Sequence, residues 1–336
     1  MKHENVTIKE IALQANVSHT TVSRALNCSS LVKPATKEKI KKLAEEMNYM
    51  PNYSAKSLVS KQSYNIGLYF ADLTSTISPE FLFIIVQAVS RKVTSPFNLV
   101  IGSIDHLYES FHVSRNKFDG VILVSLYETD DKIIQKITSE NVPLVVINRK
   151  THINGVINLY CDDFEGITRA VNYLVENGHK DIGFLQGVVN SSANINRRNG
   201  FEYAMNRNNL TINDDWVLIG DFSIESGYQE SKKLTGMTHR PTAIVSAADS
   251  MAFGFIRGLQ EIGVKVPEDI SIFAFENTSL SRLSNPSISC IGRPISKMSR
   301  DAIAMIFRIL SKDDFSEKEK VYPVDLYIRE STTSFI

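Results

Sequence analysis

The 336-residue sequence is poor in cysteine and has no long apolar run, and each shortage excludes a class of protein. Its three cysteines, Cys28, Cys161 and Cys290, lack the number and the spacing of a disulfide framework or a zinc site, so we expect neither a metal nor a cofactor. No apolar run approaches the ~20 residues that a membrane helix needs, and the polar N-terminus lacks the apolar core of a signal peptide. These absences predict a cytoplasmic protein that does not enter a membrane.

Motifs of the common enzyme families are also missing. The sequence has no phosphate-binding loop of the GxxxxGK type, no GxGxxG after its first apolar run, no GxSxG and no HExxH. No nucleophile stands beside an evident base, and the seven histidines are scattered along the chain. We therefore predict a protein without catalytic residues.

Charge divides the chain into a basic head and an acidic body. Residues 1–61 hold ten Lys or Arg against five Glu, a net charge of +5, which leaves −5 on the remainder of a chain that is neutral overall. This division suggests that the head binds an anionic polymer. The alternative is that the lysines between Lys37 and Lys42 only form a solvated helix face, which does not explain why the excess ends where the head ends.

The basic head carries the pattern of a helix-turn-helix. Thr7 and Glu10 form a Thr-x-x-Glu capping box that begins one helix, and Ser18 can cap a second helix after a turn at Asn16. A third helix is predicted from Pro34. The second helix of such a motif can lie in the DNA major groove. Hydrogen-bonding side chains, almost all of them compact, occupy its outward face: His19, Thr20, Ser23, Arg24 and Asn27.

Beyond residue 64, short apolar runs alternate with helical patterns. One series of runs begins with NIGLYF at 65–70, and a second begins with DIGFLQG at 181–187. Continuous apolar strands that alternate with helices are typical of parallel sheets covered on both faces. The fold class predicted is therefore an α/β core of two doubly wound parallel-sheet lobes, joined to the all-α head. Such sheets bind ligands beyond the carboxyl ends of their strands, so we expect a site in the cleft between the lobes.

The chain resembles the lac repressor family (LacI/GalR) of bacterial transcription regulators over essentially its whole length. The resemblance rests on specific stretches in a fixed order, among them TIKEIALQANVSHTTVSRALN at 7–27, ENGHKDIGFLQG at 176–187, GDFSIESGY at 220–228, RPTAIVSAADSMAFG at 240–254 and GVKVPEDISIFAFEN at 263–277.

The resemblance implies three parts, with a core like a periplasmic sugar-binding protein. These are a helix-turn-helix headpiece at 1–50, a hinge at 51–63 and an effector-binding and dimerisation core at 64–336. Each lobe of the core is implied to be discontinuous, because a helix near 295–311 crosses back to the first lobe. The implied limits are about 64–160 plus 292–320 for the first lobe and about 161–291 plus 321–336 for the second.

The resemblance also implies which residues contact operator DNA. His19, Thr20 and Arg24 match base-contacting positions, and Arg24 could offer a bidentate fork to guanine. Positions that more often hold phosphates are matched by Thr7, Ser18, Ser23, Asn27 and Tyr49. The hinge residues matched are Asn52, Ala55 and Leu58, of which Leu58 would wedge into the minor groove. Alternatively, Ser18 and Asn27 only cap helices, and Leu58 belongs to an ordinary flexible linker.

Effector-contacting positions of the family are matched by Arg149, Arg197, Phe222, Asp249, Glu276 and Arg293. The chain departs from the family pattern at Ala248, where Asn is frequent, at Glu276, where Asp is usual, and at Arg293, where the founding member has Gln. An aromatic plate with carboxylates and arginines suits a neutral mono- or disaccharide, and a sugar phosphate is the second choice. A purine is less favoured, because Arg149 stands where the purine-binding relative has a stacking Trp.

The function predicted is a sequence-specific transcription regulator, more a repressor than an activator, gated by a small-molecule effector. Its partners would be double-stranded, pseudo-palindromic operator DNA and a second copy of the chain. We expect a homodimer because the leucine-heptad tail of the tetrameric members is missing after the final SFI. The alternative is a cytoplasmic sugar-binding or sugar-modifying protein whose headpiece no longer recognises an operator.

Overall fold

The computed structural model describes residues 6–26, 31–47, 49, 62–73, 77–104, 113–313 and 318–335. The chain divides into two compact units, Met1–Lys61 and Gln62–Ile336. Of the predicted hinge at 51–63, only Gln62 and Ser63 are described. The predicted DNA contacts Asn27, Asn52, Ala55 and Leu58 lie outside the described residues. None of the helices in the described ranges is long and apolar enough to cross a bilayer.

Three helices form the described part of the first unit: α1 (Ile8–Ala15), α2 (His19–Leu26) and α3 (Pro34–Glu46). Their apolar stripes meet in a small core, in which Ile11 and Ile40 are completely buried. α3 begins at a proline, whose fixed φ suits the first turn of a helix.

The predicted capping residues begin α1 and form the turn between α1 and α2. Thr7 N donates to Glu10 Oε2 at 2.6 Å, and Glu10 N donates to Thr7 Oγ1 at 3.4 Å, so the capping box at the start of α1 is complete. Asn16 ends α1 in the left-handed conformation, with φ 56°. Ser18 Oγ then accepts from Thr21 N at 3.1 Å at the start of α2. The local sequence therefore determines both ends of this turn.

The first lobe of the second unit is a parallel sheet of six strands in the order β2-β1-β3-β4-β5-β11. Its strands are β1 (Asn65–Phe70), β2 (Asn98–Ser103), β3 (Gly120–Val124), β4 (Leu144–Ile147), β5 (Ile157–Cys161) and β11 (Glu319–Tyr322). Helices α4 (Pro79–Ser90), α5 (Asp131–Ser139) and α11 (Ile295–Ser311) belong to this lobe. β3 and β4 are buried along their whole length, as expected of strands covered on both faces.

The second lobe is a six-stranded sheet in the order β7-β6-β8-β9-β10-β12, parallel except for the β10–β12 pair. Its strands are β6 (Ile182–Gln186), β7 (Val217–Ile219), β8 (Ala243–Ser246), β9 (Ser271–Glu276), β10 (Ser289–Gly292) and β12 (Asp325–Tyr327). Its helices are α6 (Asp163–Glu176), α7 (Ser192–Arg207), α8 (Ile224–Ser231), α9 (Asp249–Glu261) and α10 (Ser279–Leu283).

The chain passes between the lobes after β5, between β10 and α11, and between β11 and β12. The first-lobe sheet runs to Cys161 and Tyr322, slightly past the implied limits at residues 160 and 320. The apolar run of β5 ends only where Asp162 caps α6, accepting from Glu165 N, so the local sequence sets the first of these limits.

Candidate functional site

The predicted reading face of α2 lies on the side of the helix away from the core of the head. Val22 and Ala25 point into that core and are completely buried, whereas His19, Thr20 and Arg24 are exposed and Ser23 is half-buried. Ser18 and Thr7 are exposed and also make the capping contacts, so capping and phosphate contact are compatible for both. Tyr49 is half-buried against the core of the head.

An open cavity lies between the two lobes of the second unit and is lined by residues of both. Five of the six predicted effector residues line it: Arg197, Phe222, Asp249, Glu276 and Arg293. The first lobe contributes residues that sequence reasoning missed, among them Phe81, Leu126, Tyr127 and Asn148. Asn148 follows β4 directly, so its place at the carboxyl end of a strand was a usable signal.

Arg197, on α7, lines the cavity, and each of its three guanidinium nitrogens donates to an acceptor. Its Nε donates to Asp163 Oδ2 at 2.8 Å, its Nη1 to the Ala247 carbonyl at 2.6 Å and its Nη2 to Glu276 Oε1 at 3.2 Å. The guanidinium carbon also lies 4.0 Å from the centre of the Phe275 ring. The side chain is 2% exposed, so the two carboxylates compensate a buried charge.

Arg293 follows β10 and connects the same carboxylates to the first lobe. It donates from Nε to Glu276 Oε2 at 3.1 Å and pairs with Glu276 Oε1 through Nη2. Its Nη1 donates to Asn148 Oδ1 at 3.0 Å. Burial opposes the charge of Arg293, but the carboxylates of Glu276 and Asp163 outweigh burial and raise its pKa. The arginine therefore stays charged at any working pH.

Cys161 lies near this cluster, at the end of β5. Burial raises the pKa of its thiol to about 12, with a smaller opposing effect from Arg293. A thiol with such a pKa stays protonated and is a poor nucleophile. In the described ranges, no group of three or more His, Cys, Asp or Glu is arranged to hold a metal ion.

Phe222 presents its ring to the cavity from an unusual backbone conformation, with φ 72°. Ser250 Oγ donates to the Phe222 carbonyl at 2.6 Å, and Phe222 N donates to Met251 Sδ at 3.3 Å. These contacts come from the first turn of α9 and hold the residue in the left-handed region. Non-glycine residues adopt that region at a cost, and such residues cluster at binding sites.

Asp249 lines the cavity and also joins two helices. Its Oδ2 accepts from Thr278 N at 2.8 Å, from Thr278 Oγ1 at 2.7 Å and from Ser281 Oγ at 3.1 Å, which ties α9 to α10. Burial raises the pKa of Asp249 to about 6, although the hydrogen bonds from Thr278 act in the opposite direction. At neutral pH this is a buried carboxylate held by neutral donors.

Arg149 is the predicted effector residue that does not line the cavity. Its Nε donates to Ser125 Oγ at 2.9 Å, its Nη1 donates to the Lys150 carbonyl at 3.1 Å, and its Nη2 pairs with Asp131. All three acceptors belong to the first lobe, so the guanidinium is engaged there. Its contact with an effector stays a prediction that the cavity lining does not support.

A backbone hydrogen bond joins the lobes beside the cavity. Ser192 N, at the start of α7, donates to the Leu126 carbonyl of the first lobe at 2.9 Å. The Ser192 hydroxyl is buried there and has no hydrogen-bond partner among the residues that the structure describes. The first-lobe side of this contact is fixed by Asp130, whose Oδ2 accepts from Leu126 N at 2.8 Å and from Ser125 Oγ at 2.9 Å.

Comparison with known proteins gives the same architecture. A family model described as "Bacterial regulatory proteins, lacI family" matches residues 7–52, and a "Periplasmic binding protein-like domain" matches residues 171–332. The chain is 34% identical to the "Probable HTH-type transcriptional repressor ExuR" of Bacillus subtilis (strain 168), over 97% of this chain and 98% of that protein. It is 28% identical to catabolite control protein A of Priestia megaterium, over 98% and 99% of the two chains.

A solved structure of the lac repressor dimer bound to operator and the anti-inducer ONPF matches with a TM-score of 0.82 at 25% identity. The match covers 98% of this chain and 100% of that one. The predicted family and fold class are thereby confirmed. The chain belongs to the lacI family of bacterial regulatory proteins and is a transcription regulator with a helix-turn-helix DNA-binding domain and an effector-binding domain.

Proposed function

We propose that the protein is a repressor that binds a pseudo-palindromic operator as a homodimer, and that a neutral saccharide in the cleft changes its operator affinity. The observation that carries the choice of ligand is that both arginines lining the cavity are already bound to carboxylates. A phosphate would have to displace Glu276 or Asp163 from buried ion pairs, and separating such pairs is costly. A neutral, hydroxyl-rich ligand meets no such cost.

Apolar rings in the lining support a sugar rather than a small linear molecule. Phe81 and Tyr127 approach from the first lobe, and Phe222 approaches from the second. A sugar ring offers an apolar face to such rings and a rim of hydroxyl groups to Glu276, Asp249 and Asn148, which supply acceptors and donors. Because these groups belong to both lobes, the ligand would bind one arrangement of the lobes better than another, and that preference is the source of gating.

The homodimer could bury large apolar side chains that are exposed on the second unit. Phe83, on α4, is 60% exposed, and Leu283, at the end of α10, is 83% exposed. A subunit contact that covered them would remove apolar surface from water. The lac repressor relative is a dimer on its operator, and a two-fold symmetric protein suits a palindromic site.

A thermal-shift screen followed by operator binding tests this proposal. Ribose, glucose, galactose and cellobiose are compared with inorganic phosphate, fructose bisphosphate and adenine. A saccharide at ~100 times its dissociation constant adds about 2.7 kcal/mol of stability, which is a readily measured shift. Stabilisation by phosphate compounds or adenine alone would contradict the neutral sugar.

Operator binding separates the proposed repressor from a sugar-binding protein that has lost operator recognition. The operator is first selected from a random DNA library by binding to the protein. Affinity for it should fall steeply with salt concentration, because each neutralised phosphate releases counterions. Affinity for it should also exceed affinity for random DNA. The stabilising saccharide should change the operator affinity. Equal affinity for operator and random DNA would favour the sugar-binding alternative.

A further inference from the structure

Gly187 directly follows β6, and its backbone conformation does not require glycine. Its φ is outside the positive range, unlike that of Gly178 or Gly263. Its N–H donates to Asn194 Oδ1 at 2.7 Å, as the N–H of any L-residue other than proline could. The reason for glycine at this position must therefore be the space beside its Cα.

The Phe222 ring occupies that space. A Cβ added at Gly187 would lie 2.1 Å from Phe222 Cε1, 2.2 Å from Cζ and 2.6 Å from Cδ1. Ordinary van der Waals contact begins at about 3.4 Å, so even alanine would require the ring to move by more than 1 Å. The ring packs directly over the glycine.

The backbone of Phe222 is not free to make that movement. The residue is held on both sides by Ser250 and Met251 and lies in the left-handed region, so its ring can yield only by rotating about its side-chain bonds. Rotation would move the ring out of the position from which it lines the cavity. Gly187 itself does not line the cavity and would act only through Phe222.

We propose that Gly187 is a positioning residue of the effector site, which sets where the Phe222 ring stands and thereby which ligands the cleft accepts. This inference rests on the proposed effector function of the cleft. It assigns a part of the ligand specificity to a residue outside the lining. Loss of this glycine would alter the site without removing any group that touches the ligand.

A double-mutant cycle tests the inference. Gly187→Ala, Phe222→Ala and the double variant are compared with the parent. Gly236→Ala is the matched control, because a Cβ at Gly236 meets nothing within 4 Å. Two quantities are measured. The first is the urea concentration at the midpoint of unfolding without ligand, and the second is the affinity for ribose, glucose, galactose and cellobiose, measured by calorimetry. The urea measurement needs no effector and therefore remains valid if the proposed ligand class is wrong.

Gly187→Ala should lower the affinity for the sugar that binds the parent by about tenfold or more, and should lower the urea midpoint. In the Phe222→Ala background the same substitution should change neither quantity. Parent-like affinity in Gly187→Ala, or an equal loss in both backgrounds, would overturn the proposal. If Gly187→Ala does not fold, the double variant must fold and must match Phe222→Ala in both measurements, or the proposal fails.

If none of the four sugars binds the parent, the neutral-sugar proposal fails and the urea cycle alone decides the role of Gly187. A destabilisation by Gly187→Ala that persists without the Phe222 ring would then overturn the positioning role.

Discussion

At the scale of single residues, the buried charged groups of the cleft differ in their partners: some form ion pairs, and one accepts hydrogen bonds from neutral donors. Arg197 and Arg293 share the carboxylates of Asp163 and Glu276, so their charges are mutually compensated. Asp249 is held instead by a backbone N–H and by the hydroxyls of Thr278 and Ser281. Burial is the principal cause that raises the pKa of Asp249 to about 6.

Asp249 should therefore make stability depend on pH. The carboxyl has a pKa of 3.8 when unfolded and about 6 when folded, so between these values the folded protein holds a proton that the unfolded chain has released. This contribution to stability is complete below about pH 4 and is lost as the pH rises through about 6. Asp249→Asn removes it. As the pH rises from about 4 to about 7, we expect the free energy of unfolding of the variant to increase by roughly 3 kcal/mol relative to that of the parent.

Urea unfolding of parent and variant across this pH range measures the difference between their free energies of unfolding. The contributions of the other carboxylates cancel in that difference. Curves that run parallel from about pH 4 to about pH 7 would show that Asp249 keeps an ordinary pKa in the folded protein.

Five residues of the cavity lining could be located from the sequence, but the lining residues of the first lobe and the residues that position the lining could not. Arg197, Phe222 and Glu276 could be located because each stands in a recognisable stretch. Gly187 acts through Phe222, which is remote in sequence, and no local pattern marks it. Arg149 stays a prediction, because its position suggested the cleft while Asp131 and Ser125 engage its donors within the first lobe.

At the scale of elements, α2 combines a buried apolar side with an exposed polar side in only eight residues. Val22 and Ala25 anchor it, which leaves Arg24 exposed in the last turn. We expect Arg24→Ala to cost about 1–3 kcal/mol per half-site and to relax the preference at one base pair, because a bidentate contact to guanine would be lost.

Binding to a panel of operator variants measures that preference. Lys41→Ala, an exposed charge on α3, serves as the control and should weaken binding to every sequence about equally. If Arg24→Ala also weakened every sequence equally, Arg24 would be a phosphate contact rather than a base contact.

The strands that the sequence revealed are those that read as continuous apolar runs, such as β1, β3 and β9. β10 escaped notice because its residues, SCIG, include serine and glycine, although all four are buried. They are buried because β9 and β12 pair with them from either side, and β12 comes from a distant part of the chain. The local signal is weak wherever burial depends on a remote partner. The return of α11 to the first lobe was known only from the family resemblance.

At the scale of the whole core, one contact between the two lobes buries a hydroxyl group at a cost in free energy. The Ser192 hydroxyl is buried at the contact with Leu126, without a partner in the described parts of the chain. Burying an unsatisfied hydroxyl costs about 1–3 kcal/mol, and this cost would be relieved if the lobes separated and water reached the hydroxyl. The hydroxyl therefore favours opening of the cleft.

Ser192→Ala should favour the closed arrangement and tighten saccharide binding by roughly fivefold or more. Calorimetry measures the affinity, and small-angle scattering without ligand should show a more compact core. Ser223→Ala is the control, because Ser223 does not line the cavity, and the substitution removes a cap that accepts from Ser226 N and should lower stability by about 1 kcal/mol instead. Weaker sugar binding by Ser192→Ala would mean that the hydroxyl serves the ligand.

The order of the strands also has a consequence for biosynthesis. The first-lobe sheet is incomplete until β11 (Glu319–Tyr322) has been translated, and the second is incomplete until β12 (Asp325–Tyr327) has followed. The described helices of the head, by contrast, have left the ribosome long before, since α3 ends at Glu46. During synthesis the DNA-reading helix can therefore form while neither wall of the effector cleft is finished. Control by the effector is therefore acquired after the head has formed, when β11 and β12 complete the two sheets.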